Sequence, residues 1–191
     1  ERVDDLEIER HAAAVLERLS TAPIEVPDSS LFGMGESAPV FAAASALLAA
    51  DLGTEIVQID MGGWDTHSAQ GTLDGRFAGL LAELDAGIGA LVDRHMGSGD
   101  GLVITVMTEF GRRVKENASG GTDHGRGGLA LVIGDGVDGG LKGTWPGLAE
   151  LDAGDVPAVN DLRAVQAEVA AAALGSDAAT PGDSAPLGLF A

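Results

Sequence analysis

Three short stretches of this chain concentrate the residue types that do chemistry. The first is Asp60-Met-Gly-Gly-Trp-Asp65-Thr-His67, which sets two carboxylates and an imidazole on one glycine-bearing loop. Oxygen and nitrogen donors of this kind suit a divalent cation such as Zn²⁺ or Mn²⁺. The same residues also suit a structural role, in which Asp65 caps the next turn and His67 makes an ordinary hydrogen bond. The cluster alone leaves both open. The second stretch is Thr108-Glu109-Phe110-Gly111-Arg112-Arg113. Glu109 is expected where a strand ends, with its carboxylate directed into a crevice. Arg112 or Arg113 can pair with it, or can hold a phosphate or sulfate by a bidentate contact. The third is Gly120-Gly-Thr-Asp123-His124-Gly-Arg126-Gly-Gly, where glycines let the backbone approach a ligand closely. Together the stretches nominate Asp60, Asp65, His67, Asp123 and His124 as metal ligands. Glu109, Arg112 and Arg126 are the candidate catalytic groups.

The elements that must position these loops follow from periodicity and punctuation. Val3, Leu6, Ala13, Leu16 and Leu19 recur at near-helical spacing, which predicts an amphipathic helix over residues 2–20. Residues 21–35 carry Pro, Ser and Gly and read as a loop. Glu36–Asp51 is rich in Ala and Leu and has Ser37 and Pro39 at its start, a buried helix. TEIVQIDM (54–61), LVITVMT (102–108) and LALVIG (129–134) are apolar, β-branched runs and read as buried strands. Residues 72–95 return to helical spacing, and a last helix spans Asn160–Leu174 with Asn160 or Asp161 as its cap. LKGTW (141–145) reads as a short edge strand, and 176–191 as an extended tail. This order predicts a single α/β domain over residues 1–191, with a parallel or mixed sheet covered by helices. In such sheets ligands bind beyond the C-terminal ends of the strands, where all three polar loops fall.

Composition sets further bounds. With 30 acidic and 11 basic residues the formal charge is −19, which argues against a nucleic-acid partner, since that would need Lys and Arg for the phosphates. Against that field Arg112, Arg113, Lys115 and Arg126 form a local basic reversal. The absence of Cys excludes thiolate metal sites, and no apolar run is long enough for a membrane span. His11 and His95 read as solvated helix residues. Asn117-Ala-Ser reads as a chance glycosylation triplet, and without a G-x-S-x-G elbow a serine hydrolase has no support.

At GGWDTHSAQ (62–70), TEFGRR (108–113), GGTDHGRGG (120–128) and DLRAVQAEVAAAALG (161–175) the sequence resembles the bacterial family catalogued as domain of unknown function 1501. The resemblance runs along most of residues 36–175. It implies a distant relationship to the alkaline phosphatase and sulfatase superfamily, with an alkaline-phosphatase-like fold, and twin-arginine export. It also implies a gene neighbour from a second uncharacterised family. That superfamily holds two metal ions at its strand ends. The resemblance places Asp60 or Asp65, His67 and His124 at one site, and Glu109-Phe110 where the second site has an Asp-His pair. Phe cannot ligate a metal, so one ion is expected. Relatives are about twice this length, which implies that this chain is a C-terminal portion. The sheet would then be incomplete, a second chain or partner could complete it, and the nucleophile loop would lie upstream of Glu1. Two functions are implied: an exported metal-dependent hydrolase of a small phosphate or sulfate ester, or a non-catalytic binding or scaffold protein that kept the loops. A purely structural role for the loops is the third.

Overall fold

The computed structural model describes residues 5–22, 24–50, 52–97, 101–175 and 185–190. The helices are α1 (Asp5–Thr21), α2 (Ala38–Ala49), α3 (Arg76–His95) and α4 (Leu162–Leu174). The strands are β1 (Val103–Val106), β2 (Gly111–Arg112), β3 (His124–Gly125) and β4 (Leu131–Gly134). The chain is thus mixed α and β, and it divides into two compact units. One comprises residues 1–61 and 82–95, the other 62–81 and 96–191. No described helix is long and apolar enough to cross a membrane.

In the first unit the core forms around α2 and the later part of α3. Phe32, Phe41, Ala42, Ala44 and Leu91 are buried there. Pro39 opens α2, where its missing N–H costs nothing. Ser37 precedes it, and both its N–H and its hydroxyl donate to the Glu83 carboxylate, the hydroxyl at 2.8 Å. Gly87 is required on α3, because a Cβ there would stand 2.4 Å from the Phe41 ring. His95 is not a freely solvated helix end. It is half-buried, and its Nε2 shares a 2.8 Å hydrogen bond with the buried Ser45 hydroxyl. The apolar stripe of α1 stays uncovered, with Val15, Leu16 and Leu19 exposed.

Residues 54–61 form no strand. Exposed Ile56, Gln58 and Asp60 alternate with half-buried Val57, Ile59 and Met61, the period of extended backbone. The segment has no ladder partner among the described residues, and β-branched composition alone supplies none. The edge strand expected at 141–145 is likewise irregular.

In the second unit the sheets are antiparallel, which corrects the parallel or mixed sheet expected. β1 pairs with β4 in the register Val103↔Gly134 and Val106↔Leu131. A parallel pair needs a long crossover, usually a helix, to return the chain to the same end. Residues 107–130 supply no helix. They fold back on themselves through β2 and β3, paired Gly111↔Gly125 and Arg112↔His124. α4 packs on β1, and Asp161 caps it by accepting the Arg163 N–H at 2.9 Å. Asn160 instead clasps the Thr144 backbone, accepting its N–H and donating to its carbonyl. Of the tail, residues 176–184 and 191 lie outside the described residues. Leu187 and Leu189 donate their backbone N–H groups to the Glu168 carboxylate, and Phe190 bridges to Val137.

Candidate metal centre

The antiparallel register puts the end of β1 and the start of β4 at one edge. The connection between them, with its β2–β3 hairpin, stands on that edge. Loop 62–70 is stitched to this connection by backbone bonds: Ala69 N–H to Ser119 O at 3.0 Å, Gln70 N–H to Gly120 O at 2.9 Å and Thr122 N–H to Thr66 O at 3.3 Å. Side chains add to the seam. The Gln70 side-chain oxygen accepts from the hydroxyls of both Thr66 (2.9 Å) and Thr122 (2.8 Å). Gly121 permits the crossing, since a Cβ there would lie 2.3 Å from the His67 carbonyl carbon.

The seam brings Asp65, His67 and His124 together. One Asp65 carboxylate oxygen lies 3.0 Å from His67 Nε2 and 2.8 Å from His124 Nε2. The three donor atoms fall within 4.8 Å of one another. Three ligands on a tetrahedral zinc stand roughly 3.3 Å apart, given bonds near 2.0 Å, so the donor set and its spacing fit such an ion. Side-chain exposure of 47% for His67, 49% for His124 and 56% for Asp65 leaves the cluster open to a small solute.

Each member is held. Arg112 donates to the Trp64 and Thr122 carbonyls, both at 2.6 Å, and to Asp65 Oδ1 at 3.0 Å. Its guanidinium lies 4.7 Å over the Phe110 ring. Phe110 stacks on His124 at 3.9 Å, and His124 stacks on His67 at 4.9 Å. The His124 hydrogen bond, with help from the His67 charge and the Arg112 hydrogen bond, holds the Asp65 carboxyl below its ordinary range. Asp65 is therefore an ionised oxygen donor at neutral pH. Asp123 is also held low, first by the Asn117 hydrogen bond and then by His67.

Of the residues singled out from sequence, Asp65, His67 and His124 form the cluster. Asp123 stands behind it, with Oδ1 3.2 Å from His67 Nδ1, the nitrogen facing away from Asp65. Asp60 belongs to the first unit, where it accepts from the Gln58 side chain. Glu109 makes no hydrogen bond or ion pair among the described residues, and Arg126 pairs with Asp152. Arg113 lies 3.6 Å from the buried carboxylate of Asp155. Sequence reasoning missed Asn117, which appears there only as a chance triplet, and Gln70. An Asn three residues before a Gly-Gly turn is the one signal that could have found Asn117, since such side chains bond their own loop backbone.

A mixed α and β chain with small antiparallel sheets, bearing an open aspartate–histidine–histidine cluster on a loop seam, is thus the class defined by fold and site. The chain belongs to the family described as protein of unknown function (DUF1501), whose model matches residues 3–177. No curated protein and no solved structure matches the chain.

Proposed function

We propose that this protein is a metal-dependent hydrolase of a small anionic ester, phosphate or sulfate, acting outside the cytoplasm after export. The observation that carries the metal is the convergence of Asp65, His67 and His124. Two imidazole nitrogens aimed at one carboxylate oxygen are a donor set for a divalent cation with an open position. Such an ion, when bound, polarises an ester oxygen and lowers the pKa of water. The chain's own residues bind it, fix its ligands and leave one side open. The ester class and the export rest on the resemblance of the three loops to the DUF1501 family, which implies a distant relationship to phosphatases and sulfatases and twin-arginine export.

A second reading is a non-catalytic binding protein that uses the same ion. It is favoured by Arg126, which is expected to act in catalysis but is taken up by Asp152. Elemental analysis with an ester-hydrolysis assay separates the two. One ion per chain is expected, lost in His67→Ala together with turnover of phenyl phosphate or phenyl sulfate esters. An ion held without turnover selects the binding protein. Unchanged metal content in His67→Ala, or two tightly held ions, overturns the centre itself.

A further inference from the structure

We infer that Asp123 and Asn117 are positioning residues, not ligands: they hold His67 with its proton on Nδ1, so that Nε2 is the nitrogen offered to a divalent cation. The inference deepens the metal reading proposed above and rests on it for its ligand. Three observations carry it.

The two nitrogens of His67 face different carboxylates, Asp65 at Nε2 and Asp123 at Nδ1. A neutral imidazole has one proton to donate. The Asp65 oxygen near Nε2 already receives the Arg112 guanidinium at 3.0 Å and lies 2.8 Å from His124 Nε2. That oxygen already takes a charged donor from Arg112 and is crowded by a second imidazole, so it is the poorer acceptor for a His67 proton. Asp123 Oδ1 has room, with Asn117 Nδ2 at 3.0 Å as its other donor. The single proton therefore belongs on Nδ1, against Asp123.

Asn117 makes this brace rigid. Its amide nitrogen donates both to Asp123 Oδ1 and, at 2.9 Å, to the His67 carbonyl. Its amide oxygen accepts the N–H groups of Ser119 and Gly121, and its own N–H donates to Gly121 O at 2.8 Å. One side chain thus fixes the backbone of His67, the carboxylate behind its ring and the turn that carries Asp123. A carboxylate on the far nitrogen of a ligating histidine sets its tautomer and raises its basicity, and losing it costs 10–100-fold in metal affinity. His124 has no such carboxylate in the described contacts; the Phe110 and His67 rings hold it by stacking instead.

The test uses the full chain with Zn²⁺ in chelator competition, Co²⁺ as an absorbing probe, and ¹⁵N histidine spectra of the metal-free protein at alkaline pH. Asp123→Asn is nearly isosteric and Asn117→Ala removes the brace. In both, Zn²⁺ affinity is expected to fall about 10–100-fold with one ion still bound at saturation. The Co²⁺ absorption should keep its shape, and His67 should lose its fixed Nδ1–H tautomer. A changed Co²⁺ spectrum in Asp123→Asn would make Asp123 a ligand and overturn the inference. So would wild-type affinity with an unaltered tautomer. If the wild-type chain binds neither ion, the metal reading fails, while the tautomer spectra still decide the brace.

Discussion

Arg112 shows how one side chain can serve both folding and the site. It reaches two carbonyls on different loops and the Asp65 carboxylate, and it lies against Phe110. The planar guanidinium offers five donors in a fixed fork, whereas an ammonium offers a point charge on a flexible stem. Arg112→Lys should leave at least one of the Trp64 and Thr122 carbonyls without its charged donor. A loss of about 2 kcal/mol is expected, the scale of a hydrogen bond to a charged group. Denaturant titration measures it. A variant as stable as the parent would show that water replaces the guanidinium at no cost.

At the scale of elements, the site depends on how closely loop 62–70 lies on residues 117–123. Gly121 is the contact point: an added Cβ would meet the His67 carbonyl carbon at 2.3 Å and the Thr66 carbonyl oxygen at 2.4 Å. Those are backbone atoms and cannot rotate away. Gly121→Ala should therefore part the two loops, at a cost of about 1–3 kcal/mol typical of overpacking. On the proposed metal reading it should also weaken Zn²⁺ binding far more than a mutation of equal stability cost placed in α4. Thermal unfolding together with Zn²⁺ titration of both variants checks this. Equal metal affinity in the two would show that the seam does not set the spacing of the ligands.

For the molecule as a whole, pH-dependent stability draws on the first unit as well as the site. Burial, with a smaller effect of the Arg94 charge, holds the His95 imidazole below its ordinary value. In the unfolded chain that ring takes up a proton near pH 6.5. Below that pH the unfolded state binds more protons, so the contribution is complete above about 6.5 and is lost as pH falls through the lower folded value. The wild-type chain should lose more stability than His95→Gln between about pH 7.5 and pH 5. Parallel loss in the two chains would place the titration elsewhere. The depressed carboxyls of Asp65 and Asp123 act at lower pH: their contribution is present above about 3.9 and is lost as pH falls through their folded values.

The sequence by itself determined the helices and two strands, and it nominated the three residues that converge in the candidate cluster. Apolar spacing marks α2, α3 and α4 because a helix must bury one stripe; the start of α4 was legible as Asn160 or Asp161, and the structure selects Asp161, whose side chain satisfies an N–H of the first turn. Asp65, His67 and His124 were legible because imidazole and carboxylate on glycine-bearing loops are the donors a divalent cation uses. Pairing was not legible. The same β-branched composition produced β1 and β4, which found each other, and residues 54–61, which have no ladder partner among the described residues. A ladder is a property of two segments, and one segment's residues cannot state its direction or its partner. The contacts of Asp123, Asn117 and Arg112 were decided in the same way. Asp123 is a carboxylate beside a histidine in sequence, yet it contacts a different histidine 56 positions away. Only the tertiary crossing at Gly121 determines which nitrogen of His67 each aspartate faces.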